Sequence, residues 1–454
     1  MIYERSLFVF RRDFRLEDNT ALIKAMGVSR CVIVAFIFDP RQSLPPQLGH
    51  PHGYFSVKAA SFLRQSLDDL TGVVEARGGR LFRFYGPCDK VVTDLISRER
   101  IDAVFVNKDH TPFSIRRDST LRVVCQQHGV AFDESEDVLL CPAGSVLKSV
   151  AGTGGPYTVF TSFYKKALTL GTLPVQGNSF DNFFKGDLES NYFLKAGELP
   201  DLHEVSLLKG GRAAALDILS GLDRCRDYAA QRDIPALGAT THLSPYLKFG
   251  TVSVREVRQA VAQTLGPEHP ILRQLYWRDF FSHIVYHFPH VFGSAFYDEY
   301  NSILWQNDEL LFAAWCEGRT GFPLVDAGMR ELNATGFMHN RVRMVAASFL
   351  VKDLHIDWRW GEKYFAGKLV DYDPSVNNGN WQWAASTGCD HQPYFRIFNP
   401  VLQQKRFDPS FIYVRRWVPE FGTKEYPTPV IDHTVAAAWA KEAFRNASRR
   451  KKNV

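Results

Sequence analysis

What the chain lacks narrows its chemistry first. Its seven cysteines, Cys31, Cys88, Cys125, Cys141, Cys225, Cys316 and Cys389, are an odd set with no C-x-x-C pair. That excludes a disulfide frame and a cysteine zinc site, and reads as free thiols in a reducing compartment. No metal-binding cluster, P-loop, Ser-His-Asp arrangement or obvious pair of carboxylates stands out, so a hydrolytic or metal-centred reaction has no visible carrier and a cofactor-borne one is expected. No uncharged apolar run approaches the roughly 20 residues that span a bilayer. Met1-Ile-Tyr-Glu-Arg5 leads straight into a strand, without the charged lead and apolar block of a signal peptide. An intracellular, cytoplasmic protein is expected, with a nuclear location open if the source is eukaryotic. Internal repeats and low-complexity tracts are missing too.

What is present is ordinary in bulk and unusual in detail. At 454 residues, 45% hydrophobic and 23% charged, the chain can bury the cores of two or three domains. The 54 basic and 49 acidic residues leave a net charge of +5, which neither requires nor excludes nucleic acid. Aromatics reach 13%, with 35 Phe and 9 Trp. A Phe-rich core accounts for most of that surplus; stacking surfaces or a cofactor pocket account for the rest.

In chain order, residues 6–10 and 31–38 are continuous apolar runs suited to strands buried on both faces of a parallel sheet. Capping residues and helical spacing follow Asp18. The alternation continues with helices over 53–78, 88–99 and 114–129 and strands over 81–85 and 103–107, so an open α/β, Rossmann-like domain is expected over 1–134. The loops Phe10–Asn19 and Asn107–Phe113 then lie where ligands sit in such sheets, beyond the strands' carboxyl ends. Periodicity fades over 135–205, which reads as an interdomain linker with one helix near 158–169; Ala151–Pro156 and Gly177–Asp187 mark its loops. From 206 to 454 strand signals nearly vanish, and helices over 209–232, 244–265, 267–288, 308–317, 323–353 and 357–369 predict an all-α domain.

Several groupings in that domain sit poorly with a plain core. Residues two apart on a helix point about 200° apart, so Trp381 and Trp383 must face different environments, as must Arg341 and Arg343. The flanks of Arg341 and Arg343, including Val342, Val345, Ala346 and Phe349, make full exposure of both untenable, and a buried arginine demands an anion. Asp371 or Asp373 is the natural partner. Ser244 before Pro245 reads as a hydroxyl N-cap with proline at the first helical position, a start whose free N–H groups suit phosphate. Gln274, Trp277 and Arg278 share a helix face by i, i+3 and i, i+4 spacing, a set suited to gripping a base and its phosphate. Arg232, Arg278, Arg341, Arg396 and Lys405, joined by Lys248, are candidate phosphate contacts that would bind DNA with salt dependence and little sequence preference. The terminal Arg449–Lys452 run reads as a solvated tail.

Asn377-Asn-Gly-Asn-Trp-Gln-Trp383 and its continuation to Pro400, together with Phe10–Asn19 and Gly238–Gly250, closely resemble the photolyase/cryptochrome family, and within it the class I DNA photolyases. The resemblance implies FAD, and leaves open a second, antenna chromophore in the α/β domain, methenyltetrahydrofolate or a deazaflavin. It places the FAD diphosphate near Thr240, Thr241, Leu243 and Ser244 with Tyr228 upstream, pairs Arg343 with Asp371 beside the flavin, adds Arg278 and Asp373 to the cofactor's surroundings, and sets Asn377 near N5. It makes Trp381, Trp358 and Trp305 the relay that reduces the flavin from the surface. Trp277 and Trp383 would flank a flipped pyrimidine dimer, with Gln274, Asn340 and Met344 on the pocket wall.

The implied activity is that of a deoxyribodipyrimidine photo-lyase, a monomer acting on UV-damaged DNA away from any membrane. One position departs: dimer-repairing members usually carry glutamate where Gln274 stands, and an amide is more typical of (6-4) enzymes. Those enzymes, however, use two histidines where this chain has Asn340 and Met344, so cyclobutane dimers are the expected substrate. A blue-light receptor without repair activity is the alternative from another class. A nucleotide-binding α/β protein that ignores light is the third.

Overall fold

The computed structural model describes residues 2–43, 54–148, 154–200, 202, 207–391 and 393–450. Residues 151–153 of the glycine-rich connector, residue 53 of the first long helix expected, and Lys451 and Lys452 of the basic run lie outside them.

The expected sheet forms, with one strand more. Strands β1 (Tyr3–Phe10), β2 (Ser29–Phe38), β3 (Leu81–Tyr85), β4 (Ala103–Asn107) and β5 (Ala131–Ser135) pair in parallel in the order β3-β2-β1-β4-β5. Alternate residues of β1 enter opposite layers, Phe8 and Phe10 on one face and Leu7 and Val9 on the other. Helices α1 (Thr20–Val28), α2 (Pro40–Ser43), α3 (Val57–Ala76), α4 (Cys88–Glu99) and α5 (Pro112–Gln127) connect the strands. The β5 sequence, Ala-Phe-Asp-Glu-Ser, is half polar because this edge strand is only half buried, so it lacks the apolar run that betrays the inner strands. The connector lies against the sheet lobe, with bridges from Phe183 to Val32 and from Phe193 to Phe84, and contributes α6 (Phe160–Leu170).

The second lobe is helical: α7 (Arg212–Ser220), α8 (Tyr228–Gln231), α9 (Ser244–Phe249), α10 (Val254–Leu265), α11 (Pro270–His287), α12 (Glu309–Glu317), α13 (Pro323–Thr335), α14 (Asn340–Lys352), α15 (Trp358–Lys368), α16 (Pro374–Ala385), α17 (Pro400–Phe407), α18 (Ile412–Trp417) and α19 (His433–Arg450). Three segments expected as single helices are broken. The 244–265 segment stops at Gly250, whose φ of +62° ends α9, and restarts at Ser253, which forms a capping box with Glu256. Gly336, at φ +74°, divides 323–353, and His339 caps the new helix α14. The 209–232 segment is cut by a 3-10 turn at Leu222–Cys225. Among the described residues, no helix is long and apolar enough to cross a membrane.

The lobes are clasped by buried ion pairs. Arg15 Nη2 donates to Asp137 at 2.6 Å, while Arg255 donates to Asp18 at 2.8 Å and to Asp137 at 2.9 Å.

Candidate functional site

Helix α16 carries the densest set of candidates and joins two unlike environments. Asp373 caps its start, accepting from the Ser375 and Val376 amides. One turn on, the Asn377 amide donates to Glu362 of α15, at 3.1 Å to Oε1 and 3.4 Å to the backbone oxygen. Glu362 has no motif around it and was missed in the sequence; burial pushes its carboxyl up to about 7 against the Asn377 bond. At the far end Trp381 is 2% exposed, with its ring 4.9 Å from Phe365 and 6.2 Å from Trp315. Gly361 makes room for it, since a Cβ there would stand 2.2 Å from the indole. Trp383 is half buried and packs at the margin of the same core that encloses Trp381, so the two tryptophans differ in exposure rather than in the core they meet. Trp358 is buried in the same aromatic core as Trp381, and Trp305, at its edge, packs against Phe444 at 6.0 Å.

A second cluster joins α9 to α14. The Arg343 guanidinium grips Asp371 with two bonds, of 3.1 and 2.9 Å, and its Nε donates to the Met338 carbonyl at 2.7 Å. Ser244 Oγ also donates to Asp371, at 2.6 Å. The N-cap expected of Ser244 is therefore wrong: Leu243 holds the cap position without a side-chain bond, and Ser244 spends its hydroxyl across the site. Thr240 and Thr241 are half buried just before this start, where Thr241 Oγ1 accepts from the Leu243 amide at 3.4 Å. Tyr228 lies under the Arg232 guanidinium, 5.4 Å away.

Of the residues that the resemblance sets around a substrate, Asn340 donates to the Met344 sulfur at 3.7 Å and Gln274 to the Pro270 carbonyl at 3.5 Å. The Gln274 contact is long and the Asn340 contact goes to a weak thioether acceptor, so neither amide head is held strongly. Trp277 stacks on Phe160 at 3.6 Å with the rings 7° from parallel. Phe160, which the sequence did not reveal, therefore covers one indole face and leaves at most the other for a base.

The candidate DNA cations separate by environment. Arg396 and Lys405 are exposed. Arg341 instead pairs with Asp233 at 2.9 Å and lies over the Phe407 ring, so both arginines of α14 are matched by acids. Arg278 turns inward, donating to the Val138 carbonyl at 2.6 Å, and burial holds its guanidinium below the usual range. Its neighbour Asp279 is pushed up to about 7 by burial. Burial and the nearby Arg12 bring Lys248 down to about 8.

The residues present fit a flavin dinucleotide. Hydroxyls at 240, 241 and 244, the Arg343–Asp371 pair and the Asn377 amide supply both donors and acceptors. At the start of α14, the helix that carries Arg343, buried His339 Nε2 and Arg341 Nε have no protein partner among the described residues, polar atoms that a ligand could satisfy. With an α/β lobe docked on it, this site defines a two-lobed flavoprotein.

Residues 6–178 match the DNA photolyase family model, and residues 271–443 that of the FAD binding domain of DNA photolyase. A deoxyribodipyrimidine photo-lyase of Vibrio cholerae is 37% identical, covering 90% of this chain and 89% of its own. A photolyase crystal structure from Sulfolobus tokodaii, described with two FAD molecules and a novel light-harvesting cofactor, superposes with a TM-score of 0.84 at 39% identity, covering 97% of this chain and all of its own. A Synechocystis cryptochrome gives a TM-score of 0.87 at 26% identity, over 97% of this chain and 99% of its own. The chain belongs to the DNA photolyase family, and its helical lobe is an FAD-binding domain.

Proposed function

We propose that the chain is a deoxyribodipyrimidine photo-lyase that repairs cyclobutane pyrimidine dimers in UV-damaged DNA under blue light. When bound and reduced, FAD supplies the photoexcited electron that splits the dimer and receives it back, so the net reaction breaks two carbon–carbon bonds without net oxidation or reduction. The protein's part is placement. Arg343 and Asp371 hold each other and Ser244 rigid beside the cofactor. Glu362 fixes the Asn377 amide, and the dry core around Trp381, Trp358 and Trp305 is the relay. Phe160 braces Trp277 so that its free face and Trp383 border the extruded lesion; aromatic stacking worth about 1–3 kcal/mol per base offsets much of the cost of flipping.

The observation that carries this reading is that Gln274, one turn from the half-buried Trp277, and Asn340 bond only weakly within their own helices and leave their amide heads for a ligand. Such heads suit the polar edges of flipped pyrimidines. The absence of histidine at 340 and 344 favours cyclobutane dimers over (6-4) lesions, because the acid–base pair of (6-4) repair has no carrier there. Exposed Arg396 and Lys405 take DNA phosphates directly, and Arg232, Arg278 and Arg341 add positive charge to the same lobe.

The α/β domain over 1–134, the linker over 135–205 and the catalytic domain over 206–454 work as a cytoplasmic monomer. An antenna chromophore belongs beyond the carboxyl ends of β1 and β4. There Arg11 donates to the Asn107 carbonyl at 3.3 Å and keeps a buried Nε without a protein partner among the described residues. The test is whether the reduced protein splits a defined dimer in light but not in darkness. Repair of a (6-4) lesion instead, or of neither lesion with flavin bound, would overturn it.

A further inference from the structure

We propose that Arg12, in the first loop of the sheet lobe, is a positioning residue for the flavin pocket, acting through Asp373. The idea rests on the reading that α9 and α16 border FAD. Arg12 Nε donates to the Lys248 carbonyl at the end of α9, at 3.1 Å. Its Nη1 meets Asp109 at 3.4 Å and its Nη2 the Asp373 carboxylate that caps α16. One guanidinium thus ties the last turn of α9 to the first turn of α16, the helix that presents Asn377.

The arm is not needed merely to dock the lobes. Arg15 and Arg255 already clasp them through Asp137 and Asp18 in a drier place. Gly250 sits directly on the loop's backbone, where a Cβ would come within 2.1 Å of the Arg12 carbonyl. Beyond this clasp, Arg12 reaches on toward the site, its side chain 16% exposed and that of Asp373 12% exposed. The surroundings reinforce the grip. Although burial pulls the other way, Asp373 and Asp109 hold the Arg12 guanidinium above its usual range, and Arg12, Lys248 and Arg278 hold Asp373 well below the usual carboxylate range. An arginine suits the job because its planar fork serves several acceptors at once, which a lysine's point charge cannot do.

The experiment uses the full chain with Arg12→Ala, Arg12→Lys, Asp373→Asn and the Arg12→Ala/Asp373→Asn double variant. The control is Arg30→Ala, whose pair with Glu4 is largely exposed. FAD is titrated into each apoprotein, the bound flavin's visible circular dichroism is recorded, and apoprotein melting is measured in parallel. The expected result is FAD affinity weakened about tenfold by Arg12→Ala and less by Arg12→Lys, with an altered dichroism band, apoprotein melting that falls but stays well above the titration temperature, and no effect of the control. In the double variant the Arg12 change should add no more than about twofold to Asp373→Asn, because the two act as one unit.

Native-like affinity and dichroism in Arg12→Ala overturn the proposal. So does full additivity with Asp373→Asn, or a drop in apoprotein melting that accounts for the lost affinity. If Asp373→Asn itself binds FAD normally, the placement of Asp373 beside the cofactor falls and the proposal with it. That failure is recognised by the single variant alone.

Discussion

Asp373 and Glu362 belong to the same site but to different regions, and they behave as opposites. Burial raises both carboxyls. At the seam between the lobes Arg12, Lys248 and Arg278 overrule burial and keep Asp373 ionised. In the interior of the helical lobe Glu362 has the Asn377 amide to lower it, and burial wins, leaving it near 7. The linkage signs follow. Asp373, depressed in the folded state, contributes stability above its unfolded pKa and loses it as pH falls. Glu362, raised in the folded state, contributes stability below its unfolded pKa and loses it as pH rises through about 7. The seam is thus an acid-sensitive region held by charge; the interior is an alkali-sensitive region held by packing. Helix α16 spans both, with its cap in one and Trp381 in the other.

The contrast can be broken from either side. The largest effect is expected in the apolar region: Trp381→Phe abolishes light-driven reduction of the flavin, followed by its absorbance under blue light with an external reductant, yet leaves repair intact after chemical reduction. Loss of both would remove Trp381 from the relay. Next is Glu362→Gln, which flattens the alkaline fall of apoprotein stability between about pH 5 and 8, a fall worth about 2–3 kcal/mol in the native chain. Denaturant melts across that range read it. An unchanged slope would place the titration elsewhere, with Asp279, also near 7, the first candidate.

Arg343→Ala is expected to cost about 2 kcal/mol, less than the loss of one partner from a fully buried pair, and to empty the site of FAD. The cost is reduced because the arginine side chain keeps 23% exposure. Stoichiometric flavin in the purified variant would contradict that. The smallest change is Gln274→Glu, which swaps one hydrogen-bonding head for a charged one. Dimer affinity and repair yield should shift by about tenfold or less, read by titration and by thymine recovery.

The inner strands were legible because a strand buried on both faces must be largely apolar, as 7–10 and 31–38 are. β5 was not, since an edge strand ending in Asp-Glu-Ser has no such constraint. The helical lobe was legible as a class but its joints were not: Gly250 and Gly336 sit inside good helical periods, and only their left-handed backbone marks the breaks. The same long-range limit governs the site. That one of Arg341 and Arg343 would need an acid followed from burial, and the resemblance singled out Arg343 with Asp371, the pair that forms; the acid on Arg341, Asp233, was not foreseen. Ser244 was read as a local cap, but its hydroxyl goes to Asp371, 127 positions away. Glu362, Phe160 and Arg12 act through partners from other elements, and the Arg12–Asp373 pair crosses 361 positions; one sequence carries no trace of such contacts.

The most direct test is to reduce the purified protein, mix it with an oligonucleotide holding one defined cyclobutane thymine dimer, and follow thymine absorbance under blue light against a dark control. Light-dependent return of thymine, with none in the dark, is the predicted result. A protein that holds reduced FAD and binds the oligonucleotide, yet returns no thymine in light, would contradict the account.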